Sequence, residues 1–156
     1  MSGQETLATA TALGVELLAR LNVTLDPELL VGPVADGTRR VIPITGGTVE
    51  GPLLRGEILP GGADWNLARD DGTGRLSAKY TLRTHDGVLI GVLNEGRYDR
   101  SRPGPIMTTP VLEAPAGPYA WLNSAALIGT LQPAGPAGSV DLEFWWARTP
   151  EQAVTA

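Results

Sequence analysis

The stretch "ILPGGADWNLARDDG", Ile58 to Gly72, puts an acid and an indole, Asp64 and Trp65, directly behind a Pro60-Gly61-Gly62 turn. A carboxyl dried by a neighbouring ring has its pKa raised, which suits it to giving and taking protons. On that reading the turn sets Asp64 at a pocket rim as a general acid or base, with Trp65 as the apolar wall beside it. The competing reading is structural: Asp64 bonds the turn amides and Trp65 plugs one end of the fold.

The remaining chemistry is narrowed by what the chain lacks. It has no cysteine, so a disulfide framework, a thiolate metal site and a cysteine nucleophile are all excluded. His85 is the single histidine and sits in the turn "THDG", where a solvated role is favoured over a catalytic one; a two-histidine metal site is excluded with it. No run has the spaced carboxylates of a calcium loop. "GGTVEG" lacks the Lys-Ser/Thr ending of a phosphate loop, and no dinucleotide fingerprint is present. Ser77 and Ser124 have no histidine placed in sequence to suggest a hydrolase triad. Chemistry without a cofactor is therefore expected. The 156 residues carry 12 basic and 17 acidic side chains, a net charge of -5, and Lys79 is the only lysine. Neither a nucleic acid nor an anionic membrane fits that balance. The N-terminus has no basic region followed by an apolar run, and no stretch reaches membrane-spanning length, so a cytoplasmic location is expected.

The elements that position these residues read as strands. Twenty glycines and 13 prolines suit many short strands joined by tight turns. Residues 2–13 have a capping-box spacing at Ser2 and Glu5 and are expected to start a short helix. From Val15 to Leu25 every second residue is apolar, a strand pattern with a helical competitor through Leu21. "TRRVIPIT" is a strand expected to break at Gly46-Gly47, as barrel corners do, and to resume through "TVEGPLLRGEIL". "LSAKYTLRT" places Leu76, Ala78, Tyr80 and Leu82 on one face and Ser77, Lys79, Thr81 and Arg83 on the other. Asp86-Gly87 then predicts a two-residue hairpin turn into "VLIGVLNEG". "IMTTPVLEA", "YAWLNSAALIGTL" and "VDLEFWWA" supply three further extended segments. In the last, Trp145 and Trp146 must face opposite sides, so one at most meets the lumen and the other marks a subunit interface. The expected fold is all-β: one closed antiparallel β-barrel of roughly eight to ten strands over 15–148, with an extension at 1–14 and a tail at 149–156.

"PITGGTVEGPLLRGEILPGGADW", the "YTLRTHDGVLIGVLNEG" hairpin and "YAWLN" together resemble the bacterial and fungal family known as domain of unknown function 3237. The resemblance covers about Gly37 to Gly129 and implies a small closed barrel shaped like the lipocalin and calycin group, with some relatives among secondary-metabolite genes. The chain departs from the family pattern at Ile106 to Thr109 and Val111 to Ala114, where an aromatic and an arginine are missing, and at Phe144 to Trp146. A ligand different from the typical member's is implied if those strands line the cavity.

Polar residues within the matched segments complete the candidate site. Arginine offers a rigid fork for an oxyanion and asparagine both donates and accepts, so Arg83 and Asn94 are the expected oxyanion contacts beside Asp64. Arg55, Trp65, Tyr119, Trp121 and Asn123 are the expected ligand-binding residues. A surface network of Arg55, Glu57 and Arg83, with Asn94 in a cap near a turn, is the plainer alternative. The leading reading is a cofactor-independent enzyme that isomerises, cyclises or dehydrates a hydrophobic oxygenated metabolite of polyketide type, with a homodimer as the expected assembly. A non-catalytic carrier using the same lumen is the main alternative. A structural subunit assembled through its Trp-rich strand is a third.

Overall fold

The computed structural model describes residues 12–135 and 137–152, so nearly all of the helix expected over 2–13, and residues 153–156 of the expected tail, fall outside the described residues. Ten strands run in chain order: β1 (Gly14–Leu25), β2 (Leu29–Val34), β3 (Gly37–Glu50), β4 (Gly56–Ile58), β5 (Gly62–Ala68), β6 (Thr73–Thr84), β7 (Leu89–Asp99), β8 (Ile106–Glu113), β9 (Ala126–Pro133) and β10 (Ser139–Arg148). Two short 3-10 turns, Ala120–Ser124 and Pro150–Gln152, are the only helical pieces among the described residues.

Every pairing is antiparallel, and the sheet closes because β1 bonds β10 along one edge and β3 along the other. β4 and β5 share one lane between β3 and β6, which makes a closed barrel of eight lanes. Closure follows the expected class, with three local differences. The alternation in β1 does not run through from Val15: the register slips between Leu17 and Ala19, which buries Leu18 and Ala19 in succession and leaves Val15 exposed. That bulge adds the bend that a curved sheet needs. β3 is continuous through Gly46-Gly47 rather than broken there, and the slip falls opposite, between Thr24 and Leu25. The Asp86-Gly87 hairpin is closed by three residues, His85 to Gly87: Thr84 accepts from Gly87 N at 2.9 Å, and its N–H donates to Val88 O at 2.8 Å. Gly87 at φ 89° supplies the left-handed position of such a loop.

The inside of the barrel has two halves. At one end Leu18, Leu54, Leu82, Ile90, Leu122 and Phe144 are all at or below 2 % exposure and fill the space. Towards the other end, where β1, β5, β7 and β9 finish and β6, β8 and β10 begin, the walls stand apart around a cavity. Trp146 faces inward at the filled end and Trp145 lies on the outer face of the same strand. β2 hydrogen-bonds only β3 among the described residues and leaves Leu29, Leu30 and Val31 exposed along its outer edge. No described helix is long and apolar enough to cross a membrane.

Gly47 has φ 145°, and a Cβ there would strike the carbonyl oxygen of Asn22 on β1, the strand that closes the barrel. Gly47→Ala is therefore expected to lower stability by at least about 2 kcal/mol, because strain and collision act on the same seam. Urea unfolding of the variant checks this.

Candidate active site

The cavity has a volume of about 250 Å³ and is walled mainly by Val23, Leu25, Ile42, Ile44, Leu131 and Leu142. Its polar lining comes from β3, β5, β6 and β7. Asp64 and Asn66 stand two apart on β5 and so share a face. The register carries one inward row across the sheet: Ile42 opposite Asp64, Asp64 opposite Ala78, Ala78 opposite Asn94, and Asn94 opposite Pro110. Asp64 and Asn94 are thus two strand spacings apart, about 10 Å between backbones, with only the methyl group of Ala78 between them. That leaves room for a ligand to lie between the carboxyl and the amide.

Asp64 is held rather than free. Its Oδ1 accepts from the Ser77 backbone N–H at 2.9 Å, and its Oδ2 accepts from Asn66 Nδ2 at 3.5 Å. Asn66 Oδ1 in turn accepts from Arg40 at 2.9 Å and from the Tyr98 hydroxyl at 3.0 Å. Arg40 also pairs with Glu28 at 2.8 Å, just outside the mouth. Burial raises the Asp64 pKa above its ordinary value; the two hydrogen bonds and the positive charges of Arg40 and Arg39 pull the other way and are outweighed. Opposite this network are groups with no protein partner. Asn94 is 1 % exposed, and neither its Oδ1 nor its Nδ2 has a hydrogen-bond partner among the described residues. The Tyr80 hydroxyl is likewise buried and unpartnered, and burial pushes its pKa up so that it stays protonated.

Of the residues singled out from sequence, only Asp64 and Asn94 line this cavity. Asp64 is the third residue of β5, inside the lumen rather than in the turn before it. Trp65, one residue on, must point the other way: it is 46 % exposed and lies in an outer groove with Arg39, Arg75 and Met107. It neither walls the cavity nor plugs the barrel. Arg83 is also outside, paired with Glu57 at 3.2 Å with both side chains about half exposed. The alternation on β6 already assigns Arg83 to the face opposite Ala78 and Tyr80, so no oxyanion in the lumen can reach it.

The "YAWLN" segment is not an extended strand, and it sits at the filled end. The Tyr119 hydroxyl donates to Asp86 in the hairpin turn at 2.8 Å, and Arg55 is exposed, its carbonyl accepting from His85 N at 2.9 Å. Asn123 ties the 3-10 turn to β8 through both the N–H and the carbonyl of Ala114, at 2.8 and 2.9 Å. Trp121 packs on Trp146 with ring centroids 4.8 Å apart. These four residues cap the barrel floor and do not line the cavity. Arg40, Asn66, Tyr80 and Tyr98 were not foreseen; the i, i+2 spacing of Asp64 with Asn66, and of Ala78 with Tyr80, was the available signal.

A family model for a protein of unknown function, DUF3237, matches residues 13–145. The chain belongs to the DUF3237 family. A crystal structure described as a beta-barrel like protein from Acinetobacter baumannii superposes with a TM-score of 0.81 at 30% identity, covering 90% of this chain and 99% of that one. A UPF0311 protein of Clostridium acetobutylicum is 38% identical over 85 residues, 54% of each chain, so the match spans about half of that relative's length. A Penicillium herquei protein named hydroalkoxylation enzyme phnH is 28% identical over 127 residues, 77% of this chain and 80% of that one. This DUF3237 chain is thus distantly similar to an enzyme. Among its described residues no three His, Asp or Glu side chains are grouped to hold a metal ion.

Two outcomes are expected. Because Asp64 has a raised pKa in the fold, folding favours its protonated form, so its contribution is best below the unfolded-state value and is lost as pH rises through the folded one. Asp64→Asn should therefore raise the melting temperature at pH 7, with the difference vanishing towards pH 3 in a scan by calorimetry. Trp121→Ala should cost about 2 kcal/mol by chemical denaturation through lost packing on Trp146, yet leave ligand affinity unchanged.

Proposed function

We propose that the lumen is the active site of a cofactor-independent enzyme that cyclises, isomerises or dehydrates a hydrophobic oxygenated metabolite by proton transfer through Asp64. The observation that carries this is a single carboxyl with a raised pKa in the wall of an otherwise apolar cavity. Burial moves that carboxyl in the direction that general acid–base work requires. The similarity to a protein named for hydroalkoxylation supports the cyclising version.

In that version a substrate hydroxyl adds across a carbon–carbon double bond of the same molecule. The Asp64 carboxylate takes the hydroxyl proton as the new carbon–oxygen bond forms, and the carboxylic acid returns a proton to the second alkene carbon. Atoms and electrons balance within the substrate, so no oxidant or reductant enters. Dehydration runs the proton path in reverse: the carboxylate takes a proton from carbon as the double bond forms, and the carboxylic acid gives it to the departing hydroxyl, which leaves as water. The Ser77 amide and the Asn66 side chain fix the carboxyl's orientation through both transfers, and Arg40 and Tyr98 fix Asn66. The apolar walls exclude water that would otherwise compete as the nucleophile.

The test is a mass-spectrometric comparison of the producing organism's metabolite extract incubated with wild type and with Asp64→Asn. An isomer or a water-loss product formed by wild type, and formed 10²- to 10⁴-fold more slowly by Asp64→Asn, is the expected result, the size of a lost general acid–base group. An unchanged extract from which both proteins retain the same compound would replace the enzyme with a carrier.

A further inference from the structure

The depth of the cavity selects the ligand more narrowly than the proton chemistry does. Asn94 presents a carbonyl oxygen and an amide N–H side by side, both buried and both without a protein partner. A buried amide left that way is costly, because it loses its hydrogen bonds to water and gains none in return. The neutral Tyr80 hydroxyl, on the same β6 face as Ala78 and two residues deeper, adds a third unpaired group. The only other unpartnered polar atoms of the kind among the described residues are Thr108 Oγ1 and the Nε atoms of Arg40 and Arg148. Three neutral unsatisfied functions, with Arg40 Nε as a fourth, therefore belong to residues that line one cavity.

From this arrangement we infer that the pocket takes a neutral compound carrying a hydroxyl and a second oxygen on adjacent carbons of a compact apolar skeleton, gripped edge-on by Asn94 with Tyr80 donating to the second oxygen. The inference rests on the reading of the lumen as the substrate pocket. Three features carry it. Asn94 needs a donor and an acceptor together, so an anion would satisfy its N–H and confront its carbonyl oxygen. Two cations line the cavity and neither lies in the inward row that holds Asn94: Arg40 bonds Glu28 and Asn66 through its terminal nitrogens, leaving only Nε unpartnered, and Arg100 is exposed beside the Tyr98 ring, 5.8 Å from its centroid. Size sets the skeleton, since a cavity of about 150 Å³ holds benzene and the 250 Å³ here suits about two fused rings. Ala78, the small residue between Asp64 and Asn94, leaves the flat space in which such a ring lies with one edge on the amide and another on the carboxyl.

The experiment is a calorimetric titration with 2,3-dihydroxynaphthalene, its same-shaped control 2,3-dimethylnaphthalene, and the anion 3-hydroxy-2-naphthoate. Wild type is expected to bind the diol at least tenfold more tightly than either. Asn94→Leu should abolish that preference while raising the melting temperature by about 2–6 °C, because it removes the unpaired amide. Tyr80→Phe, which loses one oxygen and no packing, should weaken the diol several-fold and serves even if Asn94→Leu fails to fold. Equal or tighter binding of the dimethyl compound or the naphthoate by wild type overturns the inference, as does a diol preference that survives Tyr80→Phe and Asn94→Leu. The two readings separate on Asp64→Asn. Diol selectivity kept by that variant with no turnover of the extract by wild type leaves this inference standing and removes the enzyme. Asp64-dependent turnover without diol selectivity does the reverse.

Discussion

Everything in this barrel depends on β1 being hydrogen-bonded on both edges at once. One strand has to satisfy β10 along almost its whole length and β3 along its second half, and a flat strand cannot follow both. The slips at Leu17/Ala19 and Thr24/Leu25, with Gly47 passing against the Asn22 carbonyl, supply the twist that lets it do so. Once the seam is shut there is no edge within the barrel wall, and each inward residue acquires a fixed height and a fixed neighbour. The row from Ile42 to Pro110 is a product of that closure: none of its members is local to another in sequence.

The two halves of the interior use this regularity differently. In the filled half, large side chains from opposite walls meet, and the 3-10 turn closes the floor with Leu122 and Trp121. In the open half the inward positions are divided between aliphatics, chiefly on β1, β3 and β10, and polar groups on β5, β6 and β7 joined by Arg40 from β3. The polar side is itself divided. Asp64 is embedded in a bonded chain that runs through Asn66 and Arg40 to Glu28 at the surface, which fixes its geometry; the Asn94 amide and the Tyr80 hydroxyl have no hydrogen-bond partner among the described residues. A carboxyl held rigidly opposite an amide and a hydroxyl left unpaired is an arrangement that a purely structural core has no reason to maintain.

The fold was legible in the sequence because alternation is a local property. The strands at "LSAKYTLRT" and "VDLEFWWA", the all-β class and closure could be read from residues a few positions apart. The site was legible only where two local signals agreed. Asp64 stood out by its place beside Trp65, though the reason was different from the one first apparent: the indole turns outward, and the drying of the carboxyl comes from the lumen walls. Arg83 has the chemistry of an oxyanion contact, but its strand turns it away from the apolar face that bears Tyr80. Tyr119, Trp121 and Asn123 form an aromatic-rich motif, but their neighbours Asp86, Trp146 and Ala114 come from distant segments and make it a floor. Arg40 was invisible for the same reason, since its partners Glu28 and Asn66 lie 12 and 26 residues away.

The one strand that closure leaves over is β2, and its outer edge shows how a wall without edges can carry an appendage that has one. Leu29, Leu30 and Val31 would make a sticky ribbon if the strand were flat. It is not: the pairing with β3 slips between Leu30 and Gly32, Gly32 takes φ 106°, and Pro33 has no N–H to offer an incoming chain. An approaching strand would find its hydrogen-bond ladder interrupted within three residues, too short a register to seed growth. The apolar side chains can therefore stay in water on a hairpin arm that resists amyloid-like stacking by its backbone rather than by charge.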